Sequence, residues 1–262
     1  MFEPADPATA AALARLYDLD LTEDPGDLDL YLALADRVGG PILELAAGSG
    51  RLAIPLAAAG HEVTAVDLDP AMIERGRAAA ADARVPDDRL TWVEHDLRTL
   101  QLPEAGTFKL ALIGLNSILL LASRQDQRRA LRVLADHLAP GGLAVVDIWL
   151  PDAEDLARFD GRVILEWPRA DPETGAIVTK AGSAQYDAAT GTVVLTAIYE
   201  EGAQGEAPHR WVRRDRLRLL GAHELAGFAE EADLRLELLA GGYDLEPLAP
   251  GAERAVLIAE KP

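Results

Sequence analysis

The residues best placed to do chemistry stand at the ends of three successive apolar runs. The first run delivers Glu44-Leu45-Ala46-Ala47-Gly48-Ser49-Gly50 into a helical pattern that begins at Arg51. Small residues at 46, 48 and 50 let the backbone approach a ligand closely, and the free N–H groups of the next helix favour electron-rich groups. Asp67 ends the second run, about 20 residues beyond the loop, where a carboxylate accepts hydrogen bonds from ribose hydroxyls. Asp96, followed by Leu97, comes just after the third. Two nucleotide-type ligands fit such a set. A dinucleotide fingerprint would run G-x-G-x-x-G straight after the strand. Here Arg51-Leu52-Ala53 follows the glycines, and an acid stands on the strand itself.

The elements that must position these residues alternate as βαβ units. Pro41 to Leu45 reads as a first buried strand, Arg51 to Ala59 as a helix ended by Gly60, and Glu62 to Asp67 as a second strand. Asp69 with Pro70 opens a helix through about Ala81. Leu90 to His95 and Phe108 to Leu115 give strands three and four. Ser123-x-x-Asp126 resembles a capping box opening a helix with Leu131, Leu134 and Leu138 on one stripe, stopped by Pro140-Gly141-Gly142. Leu143 to Trp149 is a fifth strand, apolar enough to be buried on both faces.

From Arg162 to Leu219 the punctuation becomes hairpin-like, at 171–175, 188–191 and 202–208, which predicts three or four inserted antiparallel strands. Gly221 to Ala232 returns to a helix, and Leu234 to Leu239 and Ala255 to Glu260 close the chain as strands. The expected organisation is an N-terminal helical lid segment (1–40), a Rossmann-like core (41–150), a β insert (151–220) and a return to the core (221–262).

The order acid-x-small-x-Gly-x-Gly at Glu44, Ala46, Gly48 and Gly50, with Asp67 and Asp96 after it, resembles class I S-adenosylmethionine-dependent methyltransferases. Ala46 replaces that family's first glycine. The resemblance implies an α/β fold: a doubly wound, seven-stranded, mostly parallel sheet with an antiparallel last strand, and a β insert after strand five. It implies S-adenosylmethionine as cofactor, with its amino-acid end at Glu44 and the loop, its ribose on Asp67 and its adenine at Asp96 and Leu97. Leu68, Met72 and Leu97 would wall the adenine, and Arg51 and Leu115 belong to the same site.

The resemblance also excludes subclasses. The chain has no cysteine, so cytosine-5 chemistry is impossible. Gly114-Leu115-Asn116-Ser117-Ile118 is not the motif of adenine or glutamine amino-methylation, and no paired glutamates lie between 115 and 125. Only Asp147 stands where metal-dependent enzymes keep several carboxylates, so no metal is expected. What remains is similar to small-amine and amino-sugar N-methyltransferases, through Tyr17-Asp18, the Asn116-Ser117 turn, the strand ending Asp147-Ile148-Trp149 and the β insert roofing the site. Tyr17, Asn116 and Asp147 are therefore the catalytic candidates for methyl transfer to a small molecule, an amine by preference. His95 and His209 are candidate bases, while His61 and His137 read as structural or solvated. Arg214, Arg216 and Arg218 share one strand face, either as an anion handle or as the charges of a solvated edge strand. The rival functions are an NAD(P)-dependent oxidoreductase and a non-catalytic regulatory protein on the same scaffold.

Composition fits a small-molecule enzyme. Lys and Arg total 25 against 44 Asp and Glu, a net charge of −19. That field repels phosphate, so neither nucleic acid nor an anionic membrane is an expected partner. Met1-Phe2-Glu3-Pro4-Ala5-Asp6 lacks the features of a leader, and Leu110 to Ala122 is too short and too interrupted to span a bilayer. A cytoplasmic location is expected; oligomeric state is not legible.

Overall fold

The computed structural model describes residues 6–22, 24–202 and 207–262. The chain divides into two compact units, residues 24–150 with 220–262, and residues up to 23 with 151–219. The lid segment expected over 1–40 is therefore shared between them.

The larger unit is built on seven strands, β1 (Ile42–Leu45), β2 (Val63–Asp67), β3 (Leu90–Glu94), β4 (Phe108–Ile113), β5 (Leu138–Trp149), β10 (Arg235–Ala240) and β11 (Arg254–Glu260). Their order is β10-β11-β5-β4-β1-β2-β3. β1 to β5 pair in parallel, and β11 runs antiparallel to both β5 and β10. This is the expected Rossmann-like sheet. The order reverses between β1 and β4, the switch point at which open α/β sheets bind ligands beyond the carboxyl ends of their strands.

Helices α2 (Leu28–Val38), α3 (Ala53–Ala58) and α4 (Pro70–Asp82) pack together, as do α5 (Arg124–His137) and α7 (Ala222–Glu231). Tyr31 and Leu34 of α2 pack with Leu52 and Leu56 onto Ile42, Val63, Leu110 and Val145 of the sheet. Ser123 caps α5 by accepting from the Asp126 amide and donating to its carboxylate, as its spacing predicts.

Several bounds differ from the sequence reading: α3 starts at Ala53 rather than Arg51, β4 ends at Ile113 rather than Leu115, and α5 ends at His137, so Leu138 leaves the helical stripe. A second helix, α2, occupies 28–38. Strand β5 begins at Leu138 rather than 143, and its pairing with β4 shifts register between Phe108 and Leu110. Gly141, at φ 76°, lets the chain turn within that irregular start.

The smaller unit is a four-stranded antiparallel sheet, β6 (Asp160–Ala170), β7 (Ile177–Asp187), β8 (Thr192–Gly202) and β9 (His209–Arg218), in sequential order. The short helix α6 (Ala153–Arg158) leads into it. Helix α1 (Pro7–Asp20) lies on one face, with Leu16 and Leu19 against Val178 and Tyr199. Ion pairs bind the same face: Arg15 to Asp171 and Glu201, and Lys180 to Asp20 and Glu166. The expected turn at 202–208 lies partly outside the described residues.

Candidate functional site

The loop after β1 folds through three left-handed residues, Ala46 (φ 57°), Gly48 (φ 58°) and Gly50 (φ 87°). Glycine takes that conformation without cost, whereas Ala46 is strained where the family keeps glycine. The Ala47 amide donates to the Val66 carbonyl at 3.0 Å. The Gly48 amide donates to Asp67 Oδ2 at 2.7 Å. The loop thus lies over the end of β2. A Cβ on Gly50 would stand 2.7 Å from the Trp92 ring, so this position requires glycine for space as well as for φ.

Glu44 is the anomaly of the site. It lies on the β1 face that carries Ile42, with 4% of its surface exposed. It accepts from the Ala53 amide at the start of α3. Its Oε2 is buried without a hydrogen-bond partner. Burial pushes the Glu44 carboxyl up to about 8, against the opposing pull of the Arg51 cation. A buried acceptor without a donor is costly, and a cationic ligand group would remove that cost.

Arg51 does not close the gap. Its Nη1 and Nη2 both donate to Asp27, at 2.6 Å each. Asp27 is fully buried at the start of α2 and makes no side-chain cap for that helix. The sequence reading missed it, although Asp24-Pro25-Gly26-Asp27 before an apolar run signals a helix start.

Asp67 is half-buried at the end of β2. Its Oδ1 accepts from the Asp69 amide at 2.9 Å, and burial raises its carboxyl above the ordinary value. Leu68 beside it is 42% exposed, and Met72 is buried. Asp96 is gripped by its neighbour Arg98, whose Nε donates to both carboxylate oxygens at 2.9 and 3.0 Å. That cation holds the Asp96 carboxyl below the usual range. Leu97 is half-buried, and His95, an exposed residue, contacts the Asp96 carbonyl.

The ends of β4 and β5 converge on Asp147, which is fully buried. Its Oδ1 accepts from the Tyr31 hydroxyl at 2.9 Å and the Leu115 amide at 2.7 Å. Its Oδ2 accepts from the Tyr243 hydroxyl at 3.0 Å and from Arg254 at 2.7 Å. A carboxylate offers about four lone-pair positions, and here all are taken. Asp147 therefore orders the strand ends, with its lone pairs occupied by these four donors. Tyr31, Tyr243 and Arg254 were not foreseen; none carries a local motif. Leu115 (φ 48°) and Asn116 (φ 64°) form a left-handed turn, and Asn116 Oδ1 accepts from the Trp149 amide.

Tyr17, the third catalytic candidate, lies on α1 in the smaller unit with the Arg213 guanidinium 5.2 Å from its ring. Arg214 and Arg216 are exposed on edge strand β9, beside a depression of about 600 Å³ lined also by Ser183, Gln185 and Thr196. His209 is exposed and stacks on Trp211, while His137 is buried and accepts from the Leu102 amide. Among the described residues there is no cluster of three or more potential metal ligands and no helix long and apolar enough to cross a membrane.

Residues 42–142 match the methyltransferase domain family. The cypemycin N-terminal methyltransferase of a Streptomyces species is 25% identical over 228 residues, 85% of this chain and 84% of that one. Other curated relatives, such as a demethylmenaquinone methyltransferase from Clavibacter sepedonicus (33% identical over 115 residues), are similar over 44% of this chain; the chain spans 43% of that protein's length. Among solved structures, an S-adenosylmethionine-dependent methyltransferase from Clostridium acetobutylicum superposes with a TM-score of 0.78 over 95% of this chain and 97% of that chain, at 16% identity. An amino pentose methyltransferase from Micromonospora echinaspora, solved with S-adenosylmethionine bound, covers all of both chains at TM-score 0.66 and 18% identity. The sheet order, the loop after β1 and the matched domain agree: residues 42–142 carry a methyltransferase domain on a Rossmann-like sheet, and the chain is similar to S-adenosylmethionine-dependent methyltransferases.

Proposed function

We propose that this enzyme methylates a nitrogen of a small-molecule amine, with Glu44 receiving the cationic amino-acid end of the cofactor. The observation that carries the cofactor's placement is the buried, unpartnered Oε2 of Glu44 at the sheet's switch point. A cofactor with an ammonium group meets the one need this site leaves unmet. When bound, S-adenosylmethionine supplies a methyl group on a sulfonium, already activated for displacement.

The chain's own residues then bind and orient. Asp67, already accepting from the Gly48, Leu68 and Asp69 amides, keeps one carboxylate lone pair for a ribose hydroxyl. Leu68, exposed beside buried Met72, offers an apolar wall for the adenine together with Leu97. Asp96, whose two oxygens already accept from the Arg98 amide, Nε and Nη2, would take the adenine amino group by exchanging one of these bonds for it. Asn116, fixed by the Trp149 amide, keeps its amide NH2 group for the acceptor side. Positioning supplies much of the rate in such a transfer.

Nitrogen is favoured because the obvious base is spent. A hydroxyl acceptor needs a positioned base, and the carboxylate nearest the ends of β4 and β5, Asp147, is saturated by four donors. An amine needs only to lose a proton to water. The names of several similar proteins agree with this, since they include a peptide N-terminal methyltransferase, an amino pentose methyltransferase and a sugar N-methyltransferase. The net charge of −19 suits a cationic amine.

The test is a panel of amines and amino sugars, each paired with its hydroxyl analogue, incubated with methyl-labelled S-adenosylmethionine. Label is expected in amines only. Transfer to hydroxyl analogues alone would overturn the nitrogen assignment.

A further inference from the structure

We infer that Asp27 is a positioning residue for cofactor capture: its fork on Arg51 holds that cation away from Glu44 and keeps the Glu44 carboxylate open to the ligand. The inference rests on the proposed placement of the cofactor's amino-acid end at Glu44.

Arg51 follows the left-handed Gly50 and lies within electrostatic reach of two buried carboxylates. It satisfies only one of them. Both terminal nitrogens go to Asp27 at 2.6 Å in the parallel two-bond geometry that fixes a guanidinium plane. Glu44, which feels the same cation, gets no hydrogen bond from it, and its Oε2 stays without a partner. The charged and titratable groups acting on this pair are Asp27, Asp67 and the Tyr31 hydroxyl. Without Asp27, the cation already acting on Glu44, Arg51, is free to turn to the orphan oxygen. A guanidinium on Glu44 would close the position that an incoming ammonium needs. Asp27 does not cap its own helix, so among the described residues it is Arg51 that offsets the cost of burying its charge.

The test is calorimetric titration with two ligands. S-adenosylhomocysteine carries the ammonium; 5′-methylthioadenosine shares the nucleoside and lacks the amino-acid end. Asp27→Asn is expected to weaken S-adenosylhomocysteine binding about tenfold and to leave methylthioadenosine within twofold of wild type. In Asp27→Asn with Arg51→Gln, the competing cation is gone, and S-adenosylhomocysteine affinity is expected to recover to within about threefold.

Equal losses for both ligands in Asp27→Asn would make Asp27 a merely structural residue and overturn the inference. So would an unchanged S-adenosylhomocysteine affinity. If the single variant does not fold, the double variant decides: methylthioadenosine retained with S-adenosylhomocysteine lost also overturns it. Glu44→Gln separates the two levels. If it binds S-adenosylhomocysteine as well as wild type, the cofactor placement fails and this inference with it. If it binds weakly while Asp27→Asn does not, this inference alone fails.

Discussion

The Gly48 amide donates to Asp67 Oδ2 at 2.7 Å, so the acid that ends β2 also pins the loop that follows β1. One carboxylate thereby sets the distance between two parts of the proposed cofactor site. Asp67→Ala would remove the proposed ribose acceptor and the bond that holds the loop together. Affinity for S-adenosylhomocysteine is expected to fall at least tenfold, about 1.4 kcal/mol or more. Asp67→Asn keeps an acceptor oxygen for Gly48 and should lose less. Isothermal titration of both variants checks the order; Asp67→Ala binding as wild type would place the ribose elsewhere.

The raised Glu44 carboxyl gives ligand binding a pH dependence of definite sign. With its folded value near 8 against an ordinary 4.5, Glu44 holds its proton at neutral pH in the free enzyme. A cationic ligand group favours the carboxylate, so binding below about pH 8 releases a proton. Affinity for S-adenosylhomocysteine should rise with pH, by up to about tenfold per unit, and level off near 8. For the free protein the sign is opposite. Between 4.5 and 8 the folded state holds a proton that the unfolded state has lost, so this group's contribution to stability falls as pH rises. Titrations in buffers of different ionisation enthalpy count the protons, and Glu44→Gln should abolish the release.

The parts of this molecule that were legible in the sequence are those where local chemistry and tertiary role coincide. Gly48, Gly50 and Asp67 stand at strand ends whose apolar runs mark the strands, and Ser123 with Asp126 announces its helix. The β insert betrayed itself through turn residues. Long-range polar pairing left no such trace. Asp147 reads as an acid ending a strand, yet its role is decided by Tyr31, Tyr243 and Arg254, each about a hundred residues away in the chain. Asp27 likewise looks like a helix cap and acts as the partner of Arg51. Arg98 was invisible as the holder of Asp96 because neighbouring residues in a loop give no periodicity to read.

The saturation of Asp147 makes its removal a matter of stability before activity. Asp147→Ala leaves two hydroxyls, the Leu115 amide and the Arg254 cation without an acceptor in a buried setting. Breaking a buried pair in this way costs about 3–5 kcal/mol. Asp147→Asn keeps part of the network and should cost less. Urea unfolding of the two variants checks this. A loss under 1 kcal/mol in Asp147→Ala, with catalysis abolished, would instead return Asp147 to direct contact with the acceptor.

Gly76, in the middle of α4, is fixed by a neighbour rather than by its helix. Its φ is ordinary for a helix, where alanine is the better residue by about 1 kcal/mol. A Cβ there, however, would sit 2.2 Å from the tip of the Trp92 indole, which packs half-buried on the core beside Gly50. Overpacking of this kind costs about 1–3 kcal/mol, so steric conflict outweighs propensity. Gly76→Ala is therefore expected to lower the melting temperature by a few degrees. Trp92→Leu shortens the side chain that the new methyl would strike. Adding Gly76→Ala to Trp92→Leu should then be neutral or stabilising, because only the helix propensity remains. The sign change between the two backgrounds, read by thermal melting of the four proteins, isolates the contact. A loss of the same size in both would mean that α4 is held against β3 by something other than the indole.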